Sequence, residues 1–131
     1  MRYMVQTFVT GDSWETELSG FSRGDIETMI EYCHELNDEL VGAGELVETR
    51  GLGGPGTITT VQSQPSGEPV VFDGPSAPGD KSLIAYWVVD VATHERAVEI
   101  ASRISATPGP GGKPSNQVVE LHLVPSGPPE A

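Results

Sequence analysis

Glu120 and His122 stand two residues apart in an extended-looking segment near the end of the chain, so both point to one side of it. A carboxylate beside an imidazole favours the charged ring and makes an acid/base pair suited to neutral pH. Asp73 ends an apolar run where the chain turns, and Tyr86 lies on the next apolar run. Gathered on one side of a sheet, Asp73, Tyr86 and His122 would line a pocket for a small aromatic or carbonyl compound. There Asp73 and His122 are the candidate catalytic residues, and Tyr86 and Glu120 the candidate ligand contacts. A plainer reading stands beside this one. Asp73-Gly74-Pro75 is ordinary turn chemistry, with Asp bonding its own backbone. Tyr86 suits a core or an interface, and Glu120 with His122 suits a contact between chains.

Other chemistries lack a signature. His34, His94 and His122 sit on separate elements with no metal-ligand spacing, so no metal or other cofactor is expected. No Gly-x-Ser-x-Gly elbow and no cysteine pair occurs. Cys33 lies in an apolar stripe and reads as a small core residue rather than a nucleophile. Gly51-Leu52-Gly53-Gly54-Pro55-Gly56 lacks the Lys-Ser/Thr of a phosphate loop and opens no helix, so it reads as a flexible loop at a pocket rim.

These residues need a scaffold, and 131 residues suffice for one core without staples. Seven basic residues against nineteen acidic give a net charge of −12. Such a surface repels phosphate backbones and anionic lipid, which argues against direct nucleic-acid or membrane partners. The lone Cys33, the absence of a signal-like N-terminus and the lack of a membrane-length apolar run point to a cytoplasmic protein.

Residues 2–9 read as an interior strand ending at Gly11-Asp12, and residues 10–21 as a loop whose Trp14, Leu18 and Phe21 fold over the core. Trp14 is also a candidate for stacking on a ligand. Ser22 with Asp25 has the form of a capping box for a helix carrying Ile26, Met29, Ile30, Cys33, Leu36 and Leu40 on one face. Its acids (Glu27, Glu31, Glu35, Asp38, Glu39) form a solvated face, and Gly42 and Gly44 end it. Residues 57–62 and 68–73 form a hairpin, and residues 82–91, the most apolar run, form the central strand. Thr93 caps a second helix that buries Ala97, Ala101 and Ile104, with Val98 alongside and Glu99 attracting Arg103. Residues 105–117 read as an irregular loop, residues 118–124 as the last strand, and residues 126–131 as a frayed tail.

Strand, helix, hairpin, strand, helix, strand describes an α+β domain over residues 1–125 of the ferredoxin-like, split β-α-β kind. Right-handed crossovers put the first and central strands in the middle of the sheet. Two helices cover only one sheet face. The central strand is nevertheless apolar on both: Leu83, Ala85, Trp87 and Val89 on one side, Ile84, Tyr86 and Val88 on the other. A second copy packed sheet to sheet is the economical cover, so a homodimer is expected, with a ligand pocket between sheet and loops.

Four stretches resemble the YCII-related superfamily, within it the DGPF-domain branch. They are Met1-Arg2-Tyr3-Met4; Tyr32 with Asn37-Asp38-Glu39-Leu40 and Ala43-Gly44-Glu45-Leu46; Gly51-Leu52 with Thr60-Val61; and Val71-Phe72-Asp73-Gly74-Pro75 leading to Tyr86-Trp87-Val88-Val89-Asp90-Val91. The resemblance implies a ferredoxin-like fold of the dimeric α/β-barrel type. The branch usually continues Asp-Gly-Pro with Phe-Ala-Glu-Thr-Lys-Glu, where this chain has Ser76-Ala77-Pro78-Gly79-Asp80-Lys81. The wider superfamily carries a histidine near the start of its first helix, where this chain reads Ser22-Arg23-Gly24-Asp25. Some members are implicated in dehydrochlorination of chlorinated hydroxyquinols. Many of the DGPF type look like companions of ECF-type sigma factors, which implies an alternative role as a protein-interaction module in transcription regulation.

Overall fold

The computed structural model describes residues 1–77 and 79–127, without the side chains at position 12 and positions 15–18. The fold is α+β. A four-stranded antiparallel sheet is ordered β2-β5-β1-β6, from Leu46–Gly51 (β2), Ser82–Asp90 (β5), Arg2–Val9 (β1) and Val119–Val124 (β6). A separate hairpin pairs Thr59–Gln62 (β3) with Val70–Asp73 (β4). β1 and β5 occupy the centre, as the order of elements leads one to expect. The sheet stays open, with β2 and β6 at its edges, and one chain does not close a barrel.

Helices Gly11–Gly20 (α1), Arg23–Gly42 (α2) and His94–Ser105 (α3) complete the chain. One face of the sheet meets α2 and α3. There Val5, Trp87 and Val89 pack with Leu36, Leu40, Ala97, Ile100 and Ile104 in one contiguous core. Tyr32 ties α2 to α3 through its hydroxyl, which donates to the Arg103 carbonyl at 2.6 Å. No helix among the described residues is long and apolar enough to cross a membrane.

The capping boxes explain where the helices begin. Ser22 Oγ accepts from Asp25 N–H at 3.1 Å while the Asp25 carboxylate accepts from Ser22 N–H at 3.0 Å. The backbone N–H of Ser22, then that of Gly111, hold the Asp25 carboxyl below its usual range. Thr10 and Ser13 make the same reciprocal cap, so the loop expected over residues 10–21 is the helix α1. Its signal, Thr10-x-x-Ser13, is faint because Ser is not the usual partner at that position. Trp14 does not lie open for stacking. Its indole rests on Gly54, where an added Cβ would come within 2.6 Å of Nε1. That close approach, with Pro55 buried beside it, fixes the end of the glycine run, where Pro55–Thr57 form a 3₁₀ turn, while Gly51 to Gly53 stay exposed. Gly54→Ala should cost about 2 kcal/mol through overpacking, read as a shift in urea midpoint. The Leu18 side chain and residues 128–131 of the expected tail lie outside the described residues.

Four further expectations need correction. Residues 46–51, where the expected order of elements has no strand, form edge strand β2; its charges (Glu48, Arg50) masked the alternation and suit an exposed edge. The α2 stripe is covered only in its C-terminal half: Leu36 and Leu40 are buried, whereas Ile26 and Ile30 are 38% and 45% exposed. On α3 Ala97, Ala101 and Ile104 are buried as expected, but Ile100 is buried with them, while Val98 faces out. Arg103 pairs across to Glu39 on α2 at 2.6 Å, and Glu99 pairs with Arg96 instead. Residues 105–117 are largely the loop expected, with one 3₁₀ turn at Pro110–Gly112. They double back through Ser115 N–H to Thr107 O and Gln117 N–H to Ser105 O.

Arg96 clamps Glu45 at the start of β2, donating from Nε and Nη2 to both carboxylate oxygens at 2.8–3.2 Å. These hydrogen bonds hold the Glu45 carboxyl below the ordinary glutamate value and push the guanidinium's proton affinity up. Because the folded carboxyl titrates lower than the unfolded one, its stabilisation is full above the unfolded value and fades as pH falls through the folded one. Glu45→Gln should cost about 1 kcal/mol at pH 7, a figure discounted for partial exposure. The gap to wild type should close on acidification below pH 4.5, followed by thermal melts across pH.

Candidate functional site

Alternation along β1 sends Tyr3, Val5, Thr7 and Val9 into the core, and Met4, Gln6 and Phe8 to the other face. Among the described residues no helix joins a buried core on that second face. Cross-strand register builds it row by row: Val88, Met4 and His122 in one, Tyr86, Gln6 and Glu120 in the next. Apolar Met4, Phe8, Ile84, Tyr86 and Val88 are half-buried there, so the face is a shallow floor with polar groups around it. Tyr86 and His122 do share this face. They lie on opposite sides of β1, with about 10 Å between their strands.

The polar partners differ from those expected. Glu120 does not reach His122; its carboxylate is ion-paired with Lys81. The Lys81 ammonium also sits 4.3 Å from the centre of the Phe8 ring. His122 Nδ1 instead meets Gln6 Oε1 at 2.9 Å. With an amide oxygen facing it, Nδ1 carries the proton, and Nε2 is the neutral ring's acceptor, unengaged among the described residues. The Tyr86 hydroxyl donates to Glu48 Oε1 at 3.0 Å. That hydrogen bond, with a smaller desolvation effect, raises the Tyr86 pKa above its usual value, so Tyr86 is a held donor and not a base.

Asp73 is elsewhere. It ends β4 on the separate hairpin, exposed, and its carboxylate makes no hydrogen bond or ion pair among the described residues. The expected bond from Asp73 to its own turn is replaced. Gly74, at φ 108°, donates its N–H to the Ile58 carbonyl, and its carbonyl accepts from Thr60 Oγ1. The positive φ is what requires glycine there.

Beyond Glu120 the face runs into a cavity of about 240 Å³ lined by Phe8, Val9, Thr10, Lys81, Val118 and Glu120. Among the described residues no three His, Cys, Asp or Glu side chains gather as a metal site would require. Cys33 is half-buried on α2, and burial pushes its thiol pKa up, away from the reactive thiolate. Sequence reading missed Gln6, Glu48 and Lys81. Gln6 alone carried a signal, as a polar residue within an otherwise apolar strand; Lys81 and Glu120 meet only through a fold that joins positions 39 apart. No protein-family model matches the chain, and no curated protein matches it.

Proposed function

We propose that the chain is a YCII-related, DGPF-type domain with the ferredoxin-like arrangement, which pairs as a homodimer through its open sheet face and binds a small aromatic or carbonyl metabolite there. The order β2-β5-β1-β6, with two helices against the other face, supports the fold assignment. One observation carries the binding reading: a half-buried apolar floor bordered by His122, Gln6, Tyr86 and Glu120 on the face opposite the buried core. Apolar contact with Met4 and Val88 would hold a ring, and His122 Nε2 would accept from its hydroxyl. The protonated imidazole would instead donate to a carbonyl. Binding is favoured over turnover, because the Tyr86 proton is held by Glu48 and the Glu120 carboxylate by Lys81. A thermal-shift series with phenols, chlorinated quinols and aryl ketones tests this. Saturable stabilisation of several degrees, lost in His122→Ala, is expected. Equal shifts in both proteins would place the ligand elsewhere, and no shift from any compound would reject the reading.

A second reading rests on α2, where Ile26 and Ile30 stay exposed beside Glu27 and Glu31. This acidic, partly apolar strip suits a basic protein partner, such as a sigma-type transcription factor. Such a complex would weaken as salt rises.

A further inference from the structure

The β3–β4 hairpin is the least settled part of the fold. Val61, Val70, Val71 and Phe72 are 44–60% exposed, and every residue of β4 is exposed. Val61 pairs with Val71, and Thr60 with Phe72, so both faces of the ribbon carry apolar side chains. A lone two-stranded hairpin is at best marginally stable in water, and no residue of this one belongs to the buried core or pairs into the four-stranded sheet. The same chain leaves one sheet face outside the buried core. Area indicates how much surface is waiting to be buried. The chain exposes 8590 Å², whereas a compact monomer of 13.9 kDa exposes about 6,700 Å². Residues and side chains outside the described set account for at most about 1,200 Å² of that excess, at the exposure of an unfolded chain. The remainder, on the order of 700 Å², is close to the roughly 800 Å² that each partner buries in a standard interface.

We propose that this hairpin is an exchanged arm: in a two-fold dimer it crosses the partner's open sheet face, and Phe72 and Asp73 of one chain complete the ligand site of the other. This rests on the dimer of the preceding section. A second copy fits better than an unrelated protein because two unpartnered surfaces, projecting arm and receiving face, occur in one chain. A two-fold axis satisfies both pairs at once. The arm ends on the carboxylate of Asp73, and the receiving face displays the imidazole of His122, whose protonated form can donate to it. The exchange would also explain why Asp73 stands apart from Tyr86 and His122 within a single chain.

Photo-crosslinking tests the arm. Full-length chains carrying Phe72→p-benzoylphenylalanine, unlabelled and ¹⁵N-labelled, are unfolded together, refolded and irradiated, and crosslinked peptides are read by mass spectrometry. Val61→p-benzoylphenylalanine serves as a second probe on the other ribbon face, should the first impair folding. The expected result is crosslinks of mixed isotope joining the arm to peptides of β1 or β5. Crosslinks confined to one isotope would mean that the arm folds onto its own chain, and mixed ones landing elsewhere would overturn this mode of pairing. Light scattering on the wild-type chain separates the two proposals. A dimer without these crosslinks overturns the arm alone, whereas a mass of 13.9 kDa overturns the dimer as well.

Discussion

Val5→Asp is expected to leave the chain unfolded, whereas Met4→Asp, one residue earlier, is expected to fold and to run as a monomer. Val5 is fully buried at the centre of β1, against the helices. A carboxylate there loses its hydration and gains no partner, which costs several kcal/mol beyond the lost Val packing. That is a large part of the roughly 5–15 kcal/mol that stabilises an ordinary domain. Met4 points the other way, half-exposed between Val88 and His122. A carboxylate at that site keeps much of its water in the monomer and changes stability by less than about 1 kcal/mol. In a dimer that pairs through this face it would be desolvated beside the partner, and association should weaken at least a hundredfold. Circular dichroism reports the folding of each variant and light scattering its mass. A Met4→Asp protein that still dimerises as wild type would place the interface elsewhere.

Trp87→Ala should cost about 4 kcal/mol, and Trp87→Phe only about 1 to 2. Trp87 is 8% exposed and fills the core beneath α2, so truncation leaves a large cavity that rigid helices cannot close. Its indole Nε1–H donates to Asn37 Oδ1 at 2.9 Å, linking β5 to the middle of α2. Phenylalanine keeps most of the packing and removes only this bond, and half-buried Asn37 can turn to water. At this chain length 1 kcal/mol moves the melting temperature by roughly 4 °C, so the alanine variant should melt about 15 °C lower. Equal losses for both variants would mean that the Asn37 bond, rather than the volume of the ring, secures α2 to the sheet.

Legibility in the sequence followed the strength of local signals. The two-sided apolar character of residues 82–91 marked a central strand, and the structure puts β5 there because such a strand needs neighbours on both edges. Ser22 and Thr93 were readable as helix starts, since a cap is a contact within four residues. Edge strand β2 was hidden because an edge tolerates charge, and α1 because its cap is unusual. The extent of helix burial was hidden too. Periodicity gives the apolar side of α2, but only the position of the sheet leaves Ile26 and Ile30 outside it.

The candidate site divides along the same line. Strand alternation by itself put Glu120 and His122 on one side of their strand, since the two-residue period is a property of the extended backbone, whereas register with β1 brought Tyr86 to that face. Which groups would meet on that face was decided by strand order and register alone. Glu120 met Lys81, His122 met Gln6, and Tyr86 met Glu48, each across 38 or more positions of sequence. Asp73 was carried away on its own hairpin. Local spacing determines where a side chain can point, and only the packing of distant strands determines what it finds there.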